Sequence, residues 1–273
     1  MSEQVKSYSG VIATGANAYH FPHIAMLIAS WKTHHPTVPL VVCDYGFTAE
    51  QIALLQAIPG VHYAAGPTPN YDHPWEGKAR LGTYLESVHS SWDVLVWIDA
   101  DALFLHPYPD LGALIAGYDM IIDAHIQSVG EIMHECNREV LAVRRDDAYF
   151  SAGCWIARRG VLLENYAKLC AQVKGQGNLW EGDAFVAAIY HEKLRLRTQL
   201  GTGIAAGGLA HALLMHRAAA LEIAQQSRRI GVVDGLHGTC LQQQNEGAQQ
   251  QTHGRSPVGI DGASVDRPLG AAP

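Results

Sequence analysis

Through the first 123 residues, short apolar runs alternate with amphipathic stretches. Gly10-Val11-Ile12-Ala13-Thr14 reads as a buried strand. Pro22 suits a first helical position, and Ile24, Leu27, Ile28 and Trp31 follow at helical spacing. Val38 to Cys43 predicts a second strand. Thr48-x-x-Gln51 has the form of a capping box and opens a helix that Pro59-Gly60 closes. Val61 to Ala64 predicts a short third strand. Leu81, Tyr84, Leu85 and Val88 mark the next amphipathic helix. Asp93-Val94-Leu95-Val96-Trp97-Ile98 is continuously apolar after its first residue, as a central strand covered on both faces should be. Asp119 to Asp123 brackets a further strand. This β-α-β-α order implies an α/β fold with a mostly parallel sheet and helices on both faces.

Beyond residue 124 the rhythm loosens. Residues 125–148 are polar and predict loop with a short helix. Phe150 to Ala157 predicts a strand, and Val161 to Val173 and Gly182 to His191 predict helices. Residues 208–226 are rich in Ala and Leu and helix-prone. From Gln242 onward Gln, Gly and Pro dominate, a composition too poor in large apolar groups to offset backbone ordering. The expectation is one domain over 1–241 and a disordered tail over 242–273.

Composition sharpens this picture in three ways. All of the 6 Trp, 11 Tyr and 5 Phe lie between Tyr8 and Tyr190, so the aromatic core material is confined to that part of the chain. A formal net charge of -7 and a pI near 6.1 leave no basic stripe to neutralise phosphates, which argues against nucleic acid as a partner. No apolar run reaches the length of a transmembrane segment, although peripheral membrane contact stays open. The opening Met1 to Lys6 lacks the pattern of a secretory signal. Cys43, Cys136, Cys154, Cys170 and Cys240 form no Cys-x-x-Cys pair, so reduced thiols and a cytoplasmic location are expected.

Open parallel sheets bind ligands outside the carboxyl ends of their strands. The strand over 93–98 ends in Asp99-Ala100-Asp101. Two carboxylates so placed repel when both ionise, which invites a cation, and hard oxygen ligands suit Mg²⁺ or Mn²⁺ with positions left for phosphate oxygens. Fifteen His raise a zinc reading, but His20-x-x-His23 and His34-His35 lack a convincing third ligand, and His134-Glu135-Cys136 lacks a partner motif. Asp123, ending its own strand, is a weaker acidic candidate whose simpler role is forming a turn.

Val94 to Leu105, with its Asp99-Ala100-Asp101, resembles the Asp-x-Asp strand of the GT-A glycosyltransferases, most of all the glycogenin and galactosyltransferase-like family 8. Four further segments match in order. Ala13-Thr14-Gly15-Ala16-Asn17-Ala18-Tyr19 is similar to the first-strand nucleotide loop, and Lys78 stands where such enzymes face the diphosphate with a basic residue. Tyr149-Phe150-Ser151-Ala152-Gly153 is similar to the segment near the donor sugar, and Glu181-Gly182-Asp183-Ala184-Phe185 to the acidic segment opening the next helix. The resemblance spans roughly residues 9–199. It differs from the family at Ser151, where Asn is usual, at Gly182, where Gln is usual, and after His237-Gly238, where no Trp follows.

The resemblance implies a GT-A fold and a glycosyltransferase using a nucleotide-diphosphate sugar, UDP-linked in the nearest family, with Mn²⁺ or Mg²⁺ and a glycan, lipid or protein acceptor. It implies donor contacts from Thr14, Asn17, Tyr19, Lys78, Asp99, Ala100 and Ser151. It implies metal ligands in Asp99, Asp101 and His237, with His211 and His216 as competitors for the last. Catalytic roles fall to Asp183 and Glu181, Asp183 orienting an acceptor hydroxyl, stabilising an oxocarbenium-like centre or acting as base. Each has a simpler role: Lys78 a solvated helix charge, Tyr19 packing, Asn17 a turn, Asp183 a helix cap, Glu181 a favourable acid at a helix start. Two rivals remain. A nucleotidyltransferase would carry a basic residue in the loop after its first strand, and Thr14 to His20 contains no Lys or Arg. A degenerate transferase would bind a nucleotide or a partner without turnover.

Overall fold

The computed structural model describes residues 9–66, 74–88, 91–107, 110–160, 162–174 and 181–199. The helix-prone stretch over 208–226, Cys240, the histidines at 211, 216 and 237, and the tail from 242 lie outside the described residues. The chain divides into two units, Met1–Ile230 and Gly231–Pro273, and every described residue belongs to the first.

Among the described residues seven strands form one sheet: β1 (Gly10–Ala16), β2 (Leu40–Asp44), β3 (Val61–Ala64), β4 (Val94–Ile98), β5 (Met120–Ser128), β6 (Ala148–Arg158) and β7 (Leu196–Gln199). Their order is β3-β2-β1-β4-β6-β5-β7. The first four in that order are mutually parallel, β6 runs antiparallel to both β4 and β5, and β7 is parallel to β5. The helices are α1 (Phe21–His34), α2 (Ala49–Gln56), α3 (Leu81–Val88), α4 (Leu111–Leu114), α5 (Val129–Ile132), α6 (Glu135–Leu141), α7 (Leu162–Lys174) and α8 (Glu181–His191), with 3-10 turns at Ala18–His20 and Pro74–Arg80.

The continuous apolar run of β4 is explained by cover on both faces. Val94, Val96 and Ile98 pack with Ile24, Leu27 and Trp31 of α1 and Leu55 of α2. Leu95 and Trp97 point the other way, into a core with Tyr84 of α3, Tyr166 of α7 and Phe185 of α8. The alternation of a strand's side chains therefore feeds two cores at once. The capping box of α2 is present in full: Gln51 N–H donates to Thr48 Oγ1 (3.3 Å), and the Thr48 N–H donates to Gln51 Oε1 (3.0 Å).

Two expectations are corrected. Residues 125–148 hold more structure than loop: β5 runs on to Ser128, and two helices follow, α5 with its own capping box between Ser128 and Glu131. β7 is a strand where none was expected. The sheet is mostly parallel, as expected, with β6 alone reversed among the described strands. That reversal matters for the site. β6 pairs with β4 from Arg158 back to Cys154, so its opening half, Tyr149 to Gly153, projects past the carboxyl end of β4.

Candidate active site

After β1 the chain moves to β2 on one side, while β4 lies on the other, so the carboxyl ends of β1 and β4 flank the point where strand order reverses. Such a point leaves a crevice. Asp99 opens the turn that follows β4: its carbonyl accepts from the Ala102 N–H (3.1 Å), and its own N–H donates to the Gly153 carbonyl (2.8 Å). Asp101 sits exposed in that turn, and Ala100 is half-buried beside it.

The Asp99 carboxylate is densely partnered. Lys78 Nζ lies 2.9 Å from Oδ1 and 3.2 Å from Oδ2, and the Trp97 indole N–H donates to Oδ1 (2.9 Å). The same ammonium reaches Glu181 Oε1 at 3.2 Å, at the start of α8, and stands 5.7 Å over the Trp97 ring. Burial acts to lower the Lys78 pKa, but Asp99 and Glu181 outweigh it and hold the ammonium charged. Burial pushes the Asp99 carboxyl up, against the pull of Lys78 and Trp97, and Asp101 adds to the rise. Gly153 makes this packing possible: a methyl group there would stand 3.2 Å from Asp99 Oδ2 and 3.4 Å from Ser151 Oγ. Ser151 thus lies across Gly153 from Asp99, and its Oγ accepts from the Gly153 N–H (3.3 Å).

Asp183 is only 2% exposed. Asn137 Nδ2, from α6, donates to its Oδ2 (2.7 Å), and the Tyr149 hydroxyl, from β6, donates to its Oδ1 (3.0 Å). Burial raises its pKa, with those two hydrogen bonds pulling down. Beside this group, His134 Nδ1 and Cys136 Sγ lie 3.0 Å apart.

The nucleotide-loop candidates spread out. Thr14 is fully buried, and its hydroxyl has no hydrogen-bond partner among the described residues. Asn17 Oδ1 accepts from the His20 N–H (3.2 Å), the simpler turn-forming role. Tyr19 is 68% exposed, edge-on to His20. Asp123 ends half-buried, with burial raising its pKa. His35 is buried and packs edge-on against Phe104. His237 is outside the described residues.

The structure therefore brings Lys78, Asp99, Ser151 and Glu181 together, with Asp183 two residues beyond Glu181 in the first turn of α8. Four residues of this neighbourhood carried no role in the sequence reading. Trp97 reads as plain strand core, and Tyr149 as part of a segment. Asn137 lies on α6, in the stretch where only loop with one short helix was expected and no residue was given a role. The Tyr45 ring is wedged between two glycines: a methyl on Gly15 would lie 2.4 Å, and one on Gly77 2.2 Å, from ring atoms. The capping box at Ser128 and Glu131 marks only α5, whereas α6, which carries Asn137, is capped by the His134 side chain accepting from the Cys136 N–H, a weaker sequence signal.

Among the described residues no group of three His, Cys, Asp or Glu side chains converges as a metal site. The donor set nevertheless fits a hard divalent ion of the Mg²⁺ or Mn²⁺ kind, which takes one or two carboxylates and completes its shell from water and phosphate. The ammonium of Lys78 already fills the role of a cation against Asp99.

No protein family matches this chain, and no curated protein is similar to it. Solved structures do resemble it in outline. They include the galactosyltransferase LgtC in complex with donor and acceptor sugar analogs (12% identity, TM-score 0.48, 70% of this chain and 73% of that one). An active-site mutant of LgtC gives 14% identity, a TM-score of 0.47 and coverage of 70% and 72%. The bifunctional glycosyltransferase WbbM, in its apo form, gives 14% identity and a TM-score of 0.48 over 72% of this chain and 40% of that one. At these values the likeness says nothing about the chemistry of the present site. No helix among the described residues is long and apolar enough to cross a membrane.

Proposed function

We propose that the chain is a metal-dependent GT-A glycosyltransferase that moves a sugar from a nucleotide-diphosphate sugar to an acceptor hydroxyl. The observation that carries the reading is the shared ammonium: Lys78 between Asp99 and Glu181, at the strand end where order reverses. Asp99 and Asp101 would hold the divalent ion, which when bound neutralises charge developing on the leaving diphosphate. Lys78 offers that diphosphate a mobile point charge. Ser151, across Gly153 from Asp99, would meet the donor sugar. Exposed Tyr19 is free to stack on a nucleobase.

Of the three roles open to Asp183, its surroundings favour electrostatic stabilisation. Asn137 and Tyr149 each donate to one of its oxygens, which favours the charged carboxylate and fixes it to stabilise positive charge at the sugar's reacting carbon.

The test is release of free nucleoside diphosphate from a panel of nucleotide sugars with Mn²⁺, in wild type and in Asp101→Ala. Metal-dependent release that Asp101→Ala abolishes supports the proposal. Formation of nucleoside triphosphate from nucleotide sugar and pyrophosphate would replace it with a nucleotidyltransferase. Nucleotide binding without turnover across varied acceptors would replace it with a binding protein.

A further inference from the structure

An ammonium has three N–H groups, and those of Lys78 face three oxygens: both of Asp99 and Oε1 of Glu181. It has none to spare for a phosphate unless it gives one of these up. Asp99, for its part, is neutralised before any ion arrives. A divalent ion approaching alone must displace the ammonium or sit beside it, and like charges at that range repel.

We propose that Lys78 is a placeholder for the divalent ion, and that the donor's diphosphate draws it off Asp99, so that metal and nucleoside diphosphate bind cooperatively. This rests on the transferase reading of the same site. The exchange is balanced in charge: the diphosphate takes over the ammonium, and the ion takes over the vacated carboxylate. Linkage then requires each ligand to strengthen the other by the same factor. The side chain is suited to it, since a lysine carries a compact charge on a flexible four-carbon stem that re-aims where a planar guanidinium would not. The backbone stays put meanwhile. Gly77, the preceding residue, is packed so closely on the Tyr45 ring that even a methyl group would collide at 2.2 Å. The stem can move while its anchor is fixed.

The experiment counts free Mn²⁺ by electron paramagnetic resonance in titrations of the full chain, with and without UDP, corrected for Mn²⁺ held by free nucleotide. Wild type should bind Mn²⁺ weakly alone and about tenfold or more tightly with saturating UDP. Lys78→Met should bind Mn²⁺ about tenfold more tightly than wild type without nucleotide, and gain less from UDP than wild type does. Circular dichroism checks the fold of the variant. Should Lys78→Met alone not fold, the comparison moves to a Glu181→Gln background, which removes a buried negative charge along with the positive one, and the same tightening is expected.

Lys78→Met binding Mn²⁺ no more tightly than its parent would overturn the placeholder role, as would a wild-type affinity that UDP leaves unchanged. In both cases Mn²⁺ still binds and the transferase reading stands. Failure of Mn²⁺ to bind under any condition, with UDP or another nucleoside diphosphate, would sink that reading too.

Discussion

A carboxylate taken from water must find donors, and Asp183 finds one for each oxygen in Asn137 and Tyr149. Burial nonetheless leaves its pKa above the ordinary value of 3.8. A group raised in this way contributes stability that is complete below the unfolded pKa and is lost as pH rises through the folded one. In Asp183→Asn that loss disappears. Unfolding midpoints of variant and wild type, compared at pH 4 and pH 7, should therefore move in the variant's favour as pH rises. Turnover should fall by about 10²-fold or more with KM little changed, if the charge acts on the transition state; a proportionate rise in KM alone would contradict that role. Gly77 makes a second residue-scale prediction. A methyl 2.2 Å from the Tyr45 ring forces repacking, so Gly77→Ala should cost about 1–3 kcal/mol in denaturant unfolding. Asp99 and Asp101 were legible in the sequence because a strand-end carboxylate pair is a local pattern. Asn137 was not, since its contact with Asp183 closes across 46 residues and depends on how α6 docks.

Elements read well where periodicity was sustained and poorly where the sheet edge begins. β4 announces itself by an apolar run with no polar interruption, and α2 by its capping box. β7 has four residues with only Leu196 apolar, and Arg197 and Thr198 are exposed, so nothing in Leu196–Gln199 distinguishes an edge strand from a loop. What holds it is partly the ion pair that precedes it. Arg195 Nε and Nη2 donate to the two oxygens of Asp119 at 2.9 and 2.6 Å, just ahead of the β5–β7 ladder. The Asp119 carboxyl is held down to about 2, first by the hydrogen bonds from Arg195. A depressed pKa contributes stability above the unfolded value of 3.8, lost as pH falls through about 2. Asp119→Asn should thus lower the unfolding midpoint slightly at pH 7, and the gap to wild type should close near pH 2. The effect is small because the pair is open to solvent. Amide exchange should accelerate over Leu196–Gln199 while β1 and β4 keep their protection; equal acceleration in β1 would show that the pair braces more than the edge. The reversed course of β6 was illegible for a different reason, since strand direction is a property of pairing and leaves no trace in composition.

At the scale of the molecule, the sequence order of the site residues is informative. Lys78, Asp99, Ser151 and Glu181 come from four separate segments, and Asp99 and Ser151 meet only because β4 pairs with the reversed β6. An unfolded chain presents none of this arrangement, so a ligand of the site should bind the folded state alone and stabilise all of it by mass action. At a concentration one hundred times its Kd, such a ligand adds about 2.7 kcal/mol. For a body of this size each kcal/mol raises Tm by about 2–4 °C, so the expected shift is about 5–10 °C. Thermal unfolding with Mn²⁺ and a nucleoside diphosphate together should show it, and Asp99→Asn should remove most of it while leaving the unliganded protein folded. The control is uridine with Mn²⁺, which lacks the diphosphate that Lys78 and the ion would share and should shift Tm little. An equal shift with uridine would place recognition on the base near Tyr19 and Asn17, away from Asp99. No shift with any nucleoside diphosphate would mean that the gathered strand ends do not form a nucleotide site.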